Sequence, residues 1–291
     1  MFDEQFSRER ALGLCWPGGF TRRVQQLIFD LLQREPNIMR LGALLGPVLD
    51  TGSNELADQA RALEAAGYES LWSAQAIGRG FMITDPLIAL AVAAAVTERV
   101  ELGTAIMQLP LYHPTDLAHR VLSLQQVAGP RLLLGVGAGS TEKDFDAFER
   151  DFGTRFSEFN ESLVELEVAL ETGANATAEL SPWPSVAGGP SVYYGTWGAG
   201  VERAAKEFSG WIASAHYRTP EELETALHRY REACGDEAGR AVVSTIQLPA
   251  SRPLDEVAEL LGRFEEMGFD DAVVMFLPGG VTPEQVRGLV Q

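Results

Sequence analysis

Two glycine-rich runs are the parts of this sequence whose backbone could come closest to a ligand. One run, GTWGAG at residues 195–200, follows an apolar segment and opens a helical pattern. Free N–H groups at the start of a helix attract anions, so this run could hold a phosphate, although a tight turn would use the same glycines. The other run, GVGAG at residues 135–139, could admit a flat ring against the backbone or could simply turn the chain.

Two of the four histidines follow predicted strands, where a side chain could reach a site. His113 lies in the loop after residues 108–110, and His216 lies just beyond a strand-like segment. Both could exchange protons with a substrate, and both could equally be hydrogen-bond partners within a loop. His119 and His228 fall inside predicted helices, where we expect packing or surface roles.

Several common catalytic patterns are missing from the sequence. It has no HExxH motif, no paired cysteines and no carboxylates clustered at metal-ligand spacing, so we expect no metal site. It also lacks the GxSxG motif of serine hydrolases. The net charge of −18 argues against nucleic acid or an anionic membrane as the main partner, but it does not exclude a phosphate-bearing small molecule.

The cysteines and the hydropathy pattern indicate a cytoplasmic protein. Cys15 and Cys234 are far apart and give no disulfide framework, which suits a reducing compartment. The sequence has no run of about 18 apolar residues, so we expect no membrane span. The first residues also lack the apolar core of a signal peptide.

The elements that must position these residues alternate between strands and helices from residue 40 onwards. The predicted strands are residues 40–45, 70–73, 100–107, 131–136, 192–195, 211–215, 241–248 and 271–276. Helical patterns lie between them, including one at residues 145–152, and Thr219 and Thr282 begin capping boxes. Eight strand–helix units in about 250 residues are typical of a (β/α)8 TIM barrel. A doubly wound open sheet is the alternative, but the loop after Leu45 lacks its glycine fingerprint.

Residues 1–38 stand apart from this alternation. Residues 21–34 carry apolar side chains at helical spacing and Pro36 follows them, which predicts an amphipathic helix. We therefore predict an N-terminal extension, residues 1–38, and a barrel, residues 39–291. The extension could cover one end of the barrel or bind a partner.

Several motifs together resemble the bacterial luciferase-like monooxygenase superfamily, whose members use FMN or the deazaflavin F420. The motifs are DPLIAL from Asp85, LGTAIMQLP from Leu102, YHP from Tyr112, RLLLGVGAG from Arg131 and YGTWG from Tyr194. The resemblance implies a barrel that binds its cofactor at the carboxyl ends of the strands. It also implies a non-proline cis peptide near Ala105 and Ile106, beneath the cofactor ring.

The resemblance further implies which residues form the site. Those expected to bind the cofactor follow the third, fourth and fifth predicted strands: Thr104, Ala105, Ile106, Gly137, Ala138, Gly139, Gly195, Thr196, Trp197, Gly198, Ala199 and Gly200. The expected catalytic donors are His113 and Gln75. The residues expected to contact the substrate are Leu45, Gly46 and Trp72.

One departure from the family pattern bears on the chemistry. Gln75 and Ala76 stand where the family usually carries an acidic residue and a histidine. An amide forms hydrogen bonds but cannot act as a general base near neutral pH. A cofactor-binding scaffold that has lost catalysis is therefore the alternative to an active enzyme. An unrelated barrel hydrolase or aldolase has no base–nucleophile or lysine constellation to support it.

The preferred interpretation is a flavin- or deazaflavin-dependent oxidoreductase or monooxygenase that acts on a small organic substrate. The compact loop after Gly195 tilts the choice of cofactor slightly towards F420, and FMN stays open. Members of the superfamily often form dimers, so the resemblance also points to a homodimer.

Overall fold

In the described part of the chain, nine parallel strand segments form a closed barrel. The computed structural model of the chain describes residues 39–46, 55–175, 178–235 and 239–290. The strands are β1 (Arg40–Leu44), β2 (Ser70–Ser73), β3 (Glu101–Thr104), β4 (Met107–Gln108), β5 (Leu132–Gly137), β6 (Ser191–Gly195), β7 (Gly210–Ser214), β8 (Arg240–Leu248) and β9 (Asp271–Phe276). Their order is β3-β2-β1-β9-β8-β7-β6-β5-β4, and β3 also pairs with β5, which closes the sheet. The predicted TIM barrel is confirmed.

The segments β3 and β4 together occupy one position of the barrel, so the barrel has eight positions. Only Ala105 and Ile106 separate them, and both segments pair with β5. The peptide bond between Ala105 and Ile106 is cis, as the family resemblance implied. The third strand, predicted as one run over residues 100–107, is therefore interrupted where the cofactor ring was expected to lie.

Helices surround the barrel, and four of those described begin after a residue whose side chain caps them: Asp85, His113, Thr219 and Thr282. The helices are α1 (Glu55–Ala65), α2 (Pro86–Val96), α3 (Pro114–Ala128), α4 (Glu142–Asp146), α5 (Arg155–Thr172), α6 (Gly200–Glu207), α7 (Pro220–Cys234), α8 (Leu254–Met267) and α9 (Pro283–Arg287). The Thr219 and Thr282 side chains each accept a hydrogen bond from the backbone N–H of the third residue of the helix. The side-chain oxygen of that third residue accepts one from the backbone N–H of the threonine, so both predicted capping boxes are confirmed. None of these helices is long and apolar enough to cross a bilayer.

A layer of side chains fills the inside of the barrel. Seven buried residues from different strands form it: Leu44, Trp72, Leu133, Tyr193, Ile212, Val242 and Val273. Trp72 is fully buried, and a Cβ on Gly103 would lie 2.2 Å from its ring. Glycine at position 103 therefore makes room for the indole. The larger core lies outside the strands, between them and the helices.

An ion network occupies the amino end of the barrel. Arg40, Glu101, Arg240 and Asp271 begin β1, β3, β8 and β9, and we refer to them as the amino-end network. Glu101 Oε2 lies 2.7 Å from both Arg40 Nη2 and Arg240 Nη2, and Arg240 Nε donates to Asp271 Oδ2 at 2.6 Å. Burial raises the pKa of Glu101, but the hydrogen bonds from Arg240 and Arg40 outweigh it and hold that pKa below its ordinary value. The charges of these two arginines and two carboxylates are therefore paired with one another at the amino end of the barrel.

The segment after β5 differs from its prediction. A helix over residues 145–152 is wrong: α4 ends at Asp146, and a 3₁₀ turn follows at Phe152–Thr154. Phe145 and Phe152 pack edge to face with ring centroids 5.2 Å apart, and Glu149 has a φ of 55°. The apolar spacing therefore reflects contact across a turn and not a helical face.

Some predictions fall outside what the structure tests. The predicted helix at residues 21–34 lies outside the described residues. The division between residues 38 and 39, the homodimer and the cytoplasmic location also stay predictions.

Candidate active site

A cleft with a volume of about 430 Å³ opens where the strands end at their carboxyl sides. Its size falls within the usual range of small-molecule sites, about 300–1,000 Å³. The cofactor and catalytic residues expected from the resemblance that line it are Gln75, Ala105, Ile106, Ala138, Gly139, Gly195, Thr196 and Trp197. His216, one of the two histidines placed after a strand, lines it as well. The structure thus brings the ends of β2, β3, β5, β6 and β7 together around one cavity.

The floor of the cleft is apolar and nearly free of side-chain bulk. It is formed by Ala105, Ile106, Ala138 and Gly139, which we call the ring bed. A Cβ on Gly195 would lie 2.4 Å from Ile106 Cγ2, so glycine at this position lets Ile106 pack against β6. A flat ring system could lie on such a surface.

Two further predicted residues support the ring bed from behind. Thr104 is fully buried and its Oγ1 donates to the carbonyl of Gly135 at 2.8 Å. A Cβ on Gly137 would lie 2.8 Å from the carbonyl oxygen of Gly195. Neither Thr104 nor Gly137 is among the described lining residues. Both therefore position the floor of the cleft without forming its surface.

The glycine loop, residues 195–200, contributes Gly195, Thr196 and Trp197 to one wall of the cleft. The carbonyl of Thr196 accepts a hydrogen bond from Trp211 Nε1 at 3.0 Å, and that of Gly198 accepts one from Arg229 Nη2 at 2.9 Å. Among the described residues, the backbone N–H groups of Trp197, Gly198 and Ala199 have no hydrogen-bond partner. Three successive unpaired N–H groups directly before α6 are the arrangement that binds anions.

Arginine side chains give the cleft a positive character. Its described lining includes Arg79, Arg155 and Arg218 but no carboxylate, in a chain whose net charge is −18. The Arg155 guanidinium lies over the rings of Phe152 and Phe156, 3.8 and 4.3 Å from their centroids. Its Nε atom is buried and has no hydrogen-bond partner in the described part of the chain. The site therefore offers cationic donors to an anionic ligand.

The side-chain amide of Gln75 is fixed at the edge of the ring bed. The Gln75 Oε1 atom accepts from the backbone N–H of Gln108 at 2.8 Å, and Gln75 Nε2 donates to the Tyr112 hydroxyl at 3.0 Å. Burial raises the pKa of Tyr112 to about 12, so this phenol stays protonated near neutral pH. Gln75 is thus held in place by one neighbour on each side.

A buried ion pair continues this network. Gln108 Nε2 donates to Asp144 Oδ2 at 2.7 Å, and Arg79 Nε donates to Asp144 Oδ1 at 2.7 Å. Burial raises the pKa of Asp144, but the hydrogen bonds from Arg79 and Gln108 outweigh it and hold that pKa below its ordinary value. The carboxylate is therefore ionised near neutral pH, and Arg79 compensates its charge.

Strand β8 contributes a strained residue to the opposite wall. Thr245 has a φ of 58°, and the pairing of β8 with β9 shifts register between Val243 and Ile246. A β-branched residue in the left-handed region is costly, and such residues concentrate at functional sites. Ser244 and Thr245 both line the cleft, where the bulge presents them.

Besides Thr104 and Gly137, seven residues predicted for the site are not among the described lining residues: Leu45, Gly46, Trp72, His113, Gly198, Ala199 and Gly200. Trp72 is fully buried inside the barrel, and its Nε1 donates to Ser70 Oγ at 2.9 Å. His113 is exposed and caps α3, because its Nδ1 accepts from the backbone N–H of Thr115 at 3.2 Å.

The two remaining predicted substrate contacts lie at the end of β1. Leu45 is buried, and its N–H donates to the carbonyl of Trp72 at 2.7 Å. The N–H of Gly46 donates to Gln59 Oε1 at 2.9 Å. In the described geometry, four residues have structural roles: Leu45, Gly46, Trp72 and His113.

Other lining residues were missed by the sequence reasoning. They are Ala74, Arg79, Gln108, Ser140, Arg155, Phe156, Tyr194, Ile212, Ser214, Tyr217, Arg218, Ser244 and Thr245. Gln108 had a usable signal, because it is a polar residue immediately after the third predicted strand. Arg155 and Thr245 had none: one begins a helix, and the other lies in a strand that reads as regular.

Comparison with known proteins agrees with this architecture. The sequence model of a family described as luciferase-like monooxygenase matches residues 39–252. The 4-hydroxyprotoasukamycin monooxygenase of Streptomyces nodosus subsp. asukaensis is 34% identical over 149 residues, which cover 49% of this chain and 40% of that protein. The chain therefore matches less than half the length of this curated relative.

Two solved structures show the same fold with different cofactors. An F420-dependent secondary alcohol dehydrogenase in complex with an F420-acetone adduct has a TM-score of 0.70 at 13% identity, covering 87% of this chain and 98% of that one. The oxygenating constituent of 3,6-diketocamphane monooxygenase from Pseudomonas putida, in complex with FMN, has a TM-score of 0.61 at 19% identity and covers 77% and 71%. At these identities the likeness concerns the fold alone.

Proposed function

The chain belongs to the luciferase-like monooxygenase family, and we propose that it is an oxidoreductase that binds F420 in the cleft and acts on a small organic substrate. The observation that carries this proposal is the anion-binding wall. The glycine loop carries three unpaired backbone N–H groups, and its first residues, Gly195, Thr196 and Trp197, line the cleft together with Arg155 and Arg218. The described lining has no carboxylate. A negatively charged cofactor would complete this wall.

The residues of the ring bed fit a flat heterocycle. Ala105, Ile106, Ala138 and Gly139 provide an apolar floor, and buried polar atoms flank it. Three buried side-chain polar atoms of the described residues lack a hydrogen-bond partner, and two of them, Gln108 Oε1 and Arg155 Nε, belong to the cleft lining. Buried polar atoms are usually paired, so a polar ligand in this cleft would complete their bonding.

The charge of the wall favours F420 over FMN. Both molecules carry phosphate, but the F420 tail adds carboxylates and therefore more negative charge. Arg155 stacks on two phenylalanine rings, and Arg218 lies 4.6 Å from the centroid of Trp197. Guanidinium groups held in this way are ready to pair with anionic oxygens. Arg218 Nη1 lies 3.6 Å from Glu222 Oε1, whereas Arg155 has no carboxylate partner among the described ion pairs, so Arg155 is the arginine available for the extra negative charge of F420.

The cofactor would supply the hydride or oxygen chemistry, and the protein would supply position and electrostatics. Gln75 is locked by two hydrogen bonds and positions the edge of the ring bed. His216 is exposed at the rim, and an imidazole is the side chain best suited to proton exchange near neutral pH. We propose His216 as the residue that exchanges a proton with the substrate.

The test is a pair of titrations of purified protein with FMN and F420, followed by tryptophan fluorescence. We expect quenching of Trp197 and tighter binding of F420. Tighter binding of FMN would make the protein an FMN enzyme, and binding of neither would overturn the proposal. Binding without turnover across a broad substrate panel would favour the scaffold that has lost catalysis.

A matched pair of variants at Gly198 tests the position of the phosphate. Gly198 has a φ of 62°, and asparagine and aspartate tolerate this region about equally well. Gly198→Asp adds a negative charge beside the proposed phosphate, whereas Gly198→Asn adds a similar side chain without charge. We expect cofactor binding to be at least about 10-fold weaker in Gly198→Asp than in Gly198→Asn. Equal dissociation constants for the two variants would place the phosphate elsewhere.

A further inference from the structure

Gln108 is a buried amide in the wall of the cleft that leaves half of its hydrogen-bonding capacity unused. It follows Ala105 and Ile106 of the ring bed by two residues and is 2% exposed. Its Nε2 atom donates to Asp144, whereas its Oε1 atom has no hydrogen-bond partner among the described residues. A buried carbonyl oxygen without a hydrogen-bond donor is unfavourable, so a donor from a bound molecule would stabilise this arrangement.

Asp144 fixes which end of the amide is left unpaired. An ionised carboxylate only accepts hydrogen bonds, so the NH2 group of Gln108 must face it and Oε1 must be the other end. Arg79 and the backbone N–H of Ile77 both donate to Asp144 and hold it in place. The orientation of the Gln108 amide is therefore set by its neighbours before any ligand binds.

Gly139 keeps the space next to this oxygen clear. A Cβ on Gly139 would lie 2.3 Å from Gln108 Oε1 and 2.9 Å from the Phe145 ring. Any other residue at this position would collide with the acceptor. Glycine brings the ring bed into direct contact with the unpaired oxygen.

We propose that Gln108 Oε1 accepts a hydrogen bond from the imide N–H of the cofactor ring, and that Asp144 and Arg79 are positioning residues for this acceptor. The inference rests on the proposed function. FMN and F420 both carry this imide N–H, so the inference holds for either cofactor. Gln108 is the better acceptor of the two amides, because Gln75 Oε1 already accepts from the backbone N–H of Gln108, whereas Gln108 Oε1 has no partner among the described residues.

The protein-side test is Gln108→Met, which removes the acceptor at similar side-chain volume. We expect the dissociation constant of the cofactor, measured by fluorescence titration of the full chain, to rise about 10-fold. Gln125→Met is the matched control, because Gln125 Oε1 is also buried and unpaired but lies on α3, outside the cleft lining. Wild-type affinity in Gln108→Met, or an equal loss in both variants, would overturn the proposal.

The ligand-side test leaves the protein unchanged and so remains informative if the variant fails to fold. A cofactor analogue methylated at the imide nitrogen lacks the donor, and we expect wild-type protein to bind it about 10-fold more weakly. Gln108→Met should show little further loss with the same analogue, because the two changes remove one interaction. Equal penalties in both proteins would overturn the inference. Failure of wild-type protein to bind unmodified FMN or F420 would instead overturn the proposed function.

The positioning role of Asp144 has its own readout. Asp144→Asn can donate as well as accept, so the Gln108 amide is free to turn its NH2 group towards the ring. We expect Asp144→Asn to weaken cofactor binding in wild-type background but not in the Gln108→Met background. An equal loss in both backgrounds would show that Asp144 acts only through the local structure.

Discussion

The two ends of the barrel treat polar groups in opposite ways. At the amino end, the charged groups of the amino-end network form ion pairs with one another. These groups belong to Arg40, Glu101, Arg240 and Asp271. At the carboxyl end, Arg155 lines the cleft without a carboxylate partner among the described ion pairs, whereas Arg79 pairs with Asp144 and Arg218 lies 3.6 Å from Glu222. Buried atoms such as Gln108 Oε1 and Arg155 Nε have no hydrogen-bond partner among the residues described.

The difference shows how one barrel separates stability from chemistry. A buried charge without its partner destabilises a protein, so the end that only closes the fold has each charge matched. Unpaired buried polar groups and strained residues destabilise the folded protein, and they are retained where ligand binding offsets that loss of stability. Thr245, in the left-handed region, and the unpaired Arg155 Nε both lie on the cleft side. Changes at the two ends should therefore affect different measurements.

The largest expected effect is on stability and comes from the amino end. Arg240→Met leaves Asp271, which is fully buried, with only a 3.7 Å contact to Arg40. Breaking a buried ion pair from one side costs about 3–5 kcal/mol, so we expect the free energy of unfolding to fall by about that amount. Urea denaturation measures it, and cofactor affinity of the folded fraction should stay at the wild-type value.

A surface pair provides the control for this substitution. Arg61 pairs with Asp58 on α1, and its side chain is 55% exposed. Arg61→Met should change the free energy of unfolding by less than about 1 kcal/mol, as is typical of exposed ion pairs. Similar losses in both variants would contradict the special role of the amino-end network.

The next effect is on binding and comes from the cleft. Arg155→Gln keeps a polar side chain but removes the positive charge next to the glycine loop. We expect cofactor affinity to fall at least about 10-fold, because hydrogen bonds to charged groups contribute about 1.5–3 kcal/mol. The free energy of unfolding should change by about 1 kcal/mol or less, since Arg155 has no carboxylate partner among the described ion pairs.

An exposed arginine in the same part of the chain serves as the comparison. Arg150 is exposed and is not among the described lining residues, so Arg150→Gln should bind the cofactor like wild-type protein. If both variants lost affinity equally, the cause would be general charge and not the held guanidinium. If Arg155→Gln lost stability but kept its affinity, the contrast between the two ends would fail.

The smallest effect concerns pH. The pKa of Asp144 is lower in the folded protein than its ordinary value, so its contribution to stability is present above the unfolded pKa. That contribution is lost as pH falls through the folded pKa, and each pKa unit corresponds to about 1.4 kcal/mol. We expect wild-type protein to be more stable than Asp144→Asn at pH 7, with the gap narrowing below about pH 4. Urea midpoints at several pH values measure the gap, and a gap that widens in acid would contradict this linkage.

The fold was readable from the sequence because each element carries local signals. Strands β2 and β9 have their predicted bounds, and the capping residues Thr219 and Thr282 precede their helices as expected. The segment after β5 was misread because Phe145 and Phe152 have a spacing that also fits a helix. Spacing alone does not show whether aromatic residues pack on one face or across a turn.

The sequence indicated backbone positions that line the cleft, but it did not indicate most of the side chains that line it. Glycine runs mark positions where the backbone comes close to a ligand, so Gly139 and Gly195 were found. Arg155 and Arg218 reach the cleft from segments distant in sequence, and nothing local marks them. Trp72 and His113 are not among the described lining residues, because a position at a strand end does not show whether a side chain points into the barrel or caps the next helix.

The filled interior of the barrel restricts the route by which ligands enter and leave the cleft. Trp72 and its neighbours occupy the space between the two ends, so no molecule can approach the ring bed along the barrel axis. Cofactor and substrate must then share the mouth of the cleft, and whichever lies deeper has to enter first and leave last. With the cofactor on the ring bed, as proposed, this geometry would impose an order: the cofactor would bind before the substrate, and the product would leave before the cofactor could be exchanged.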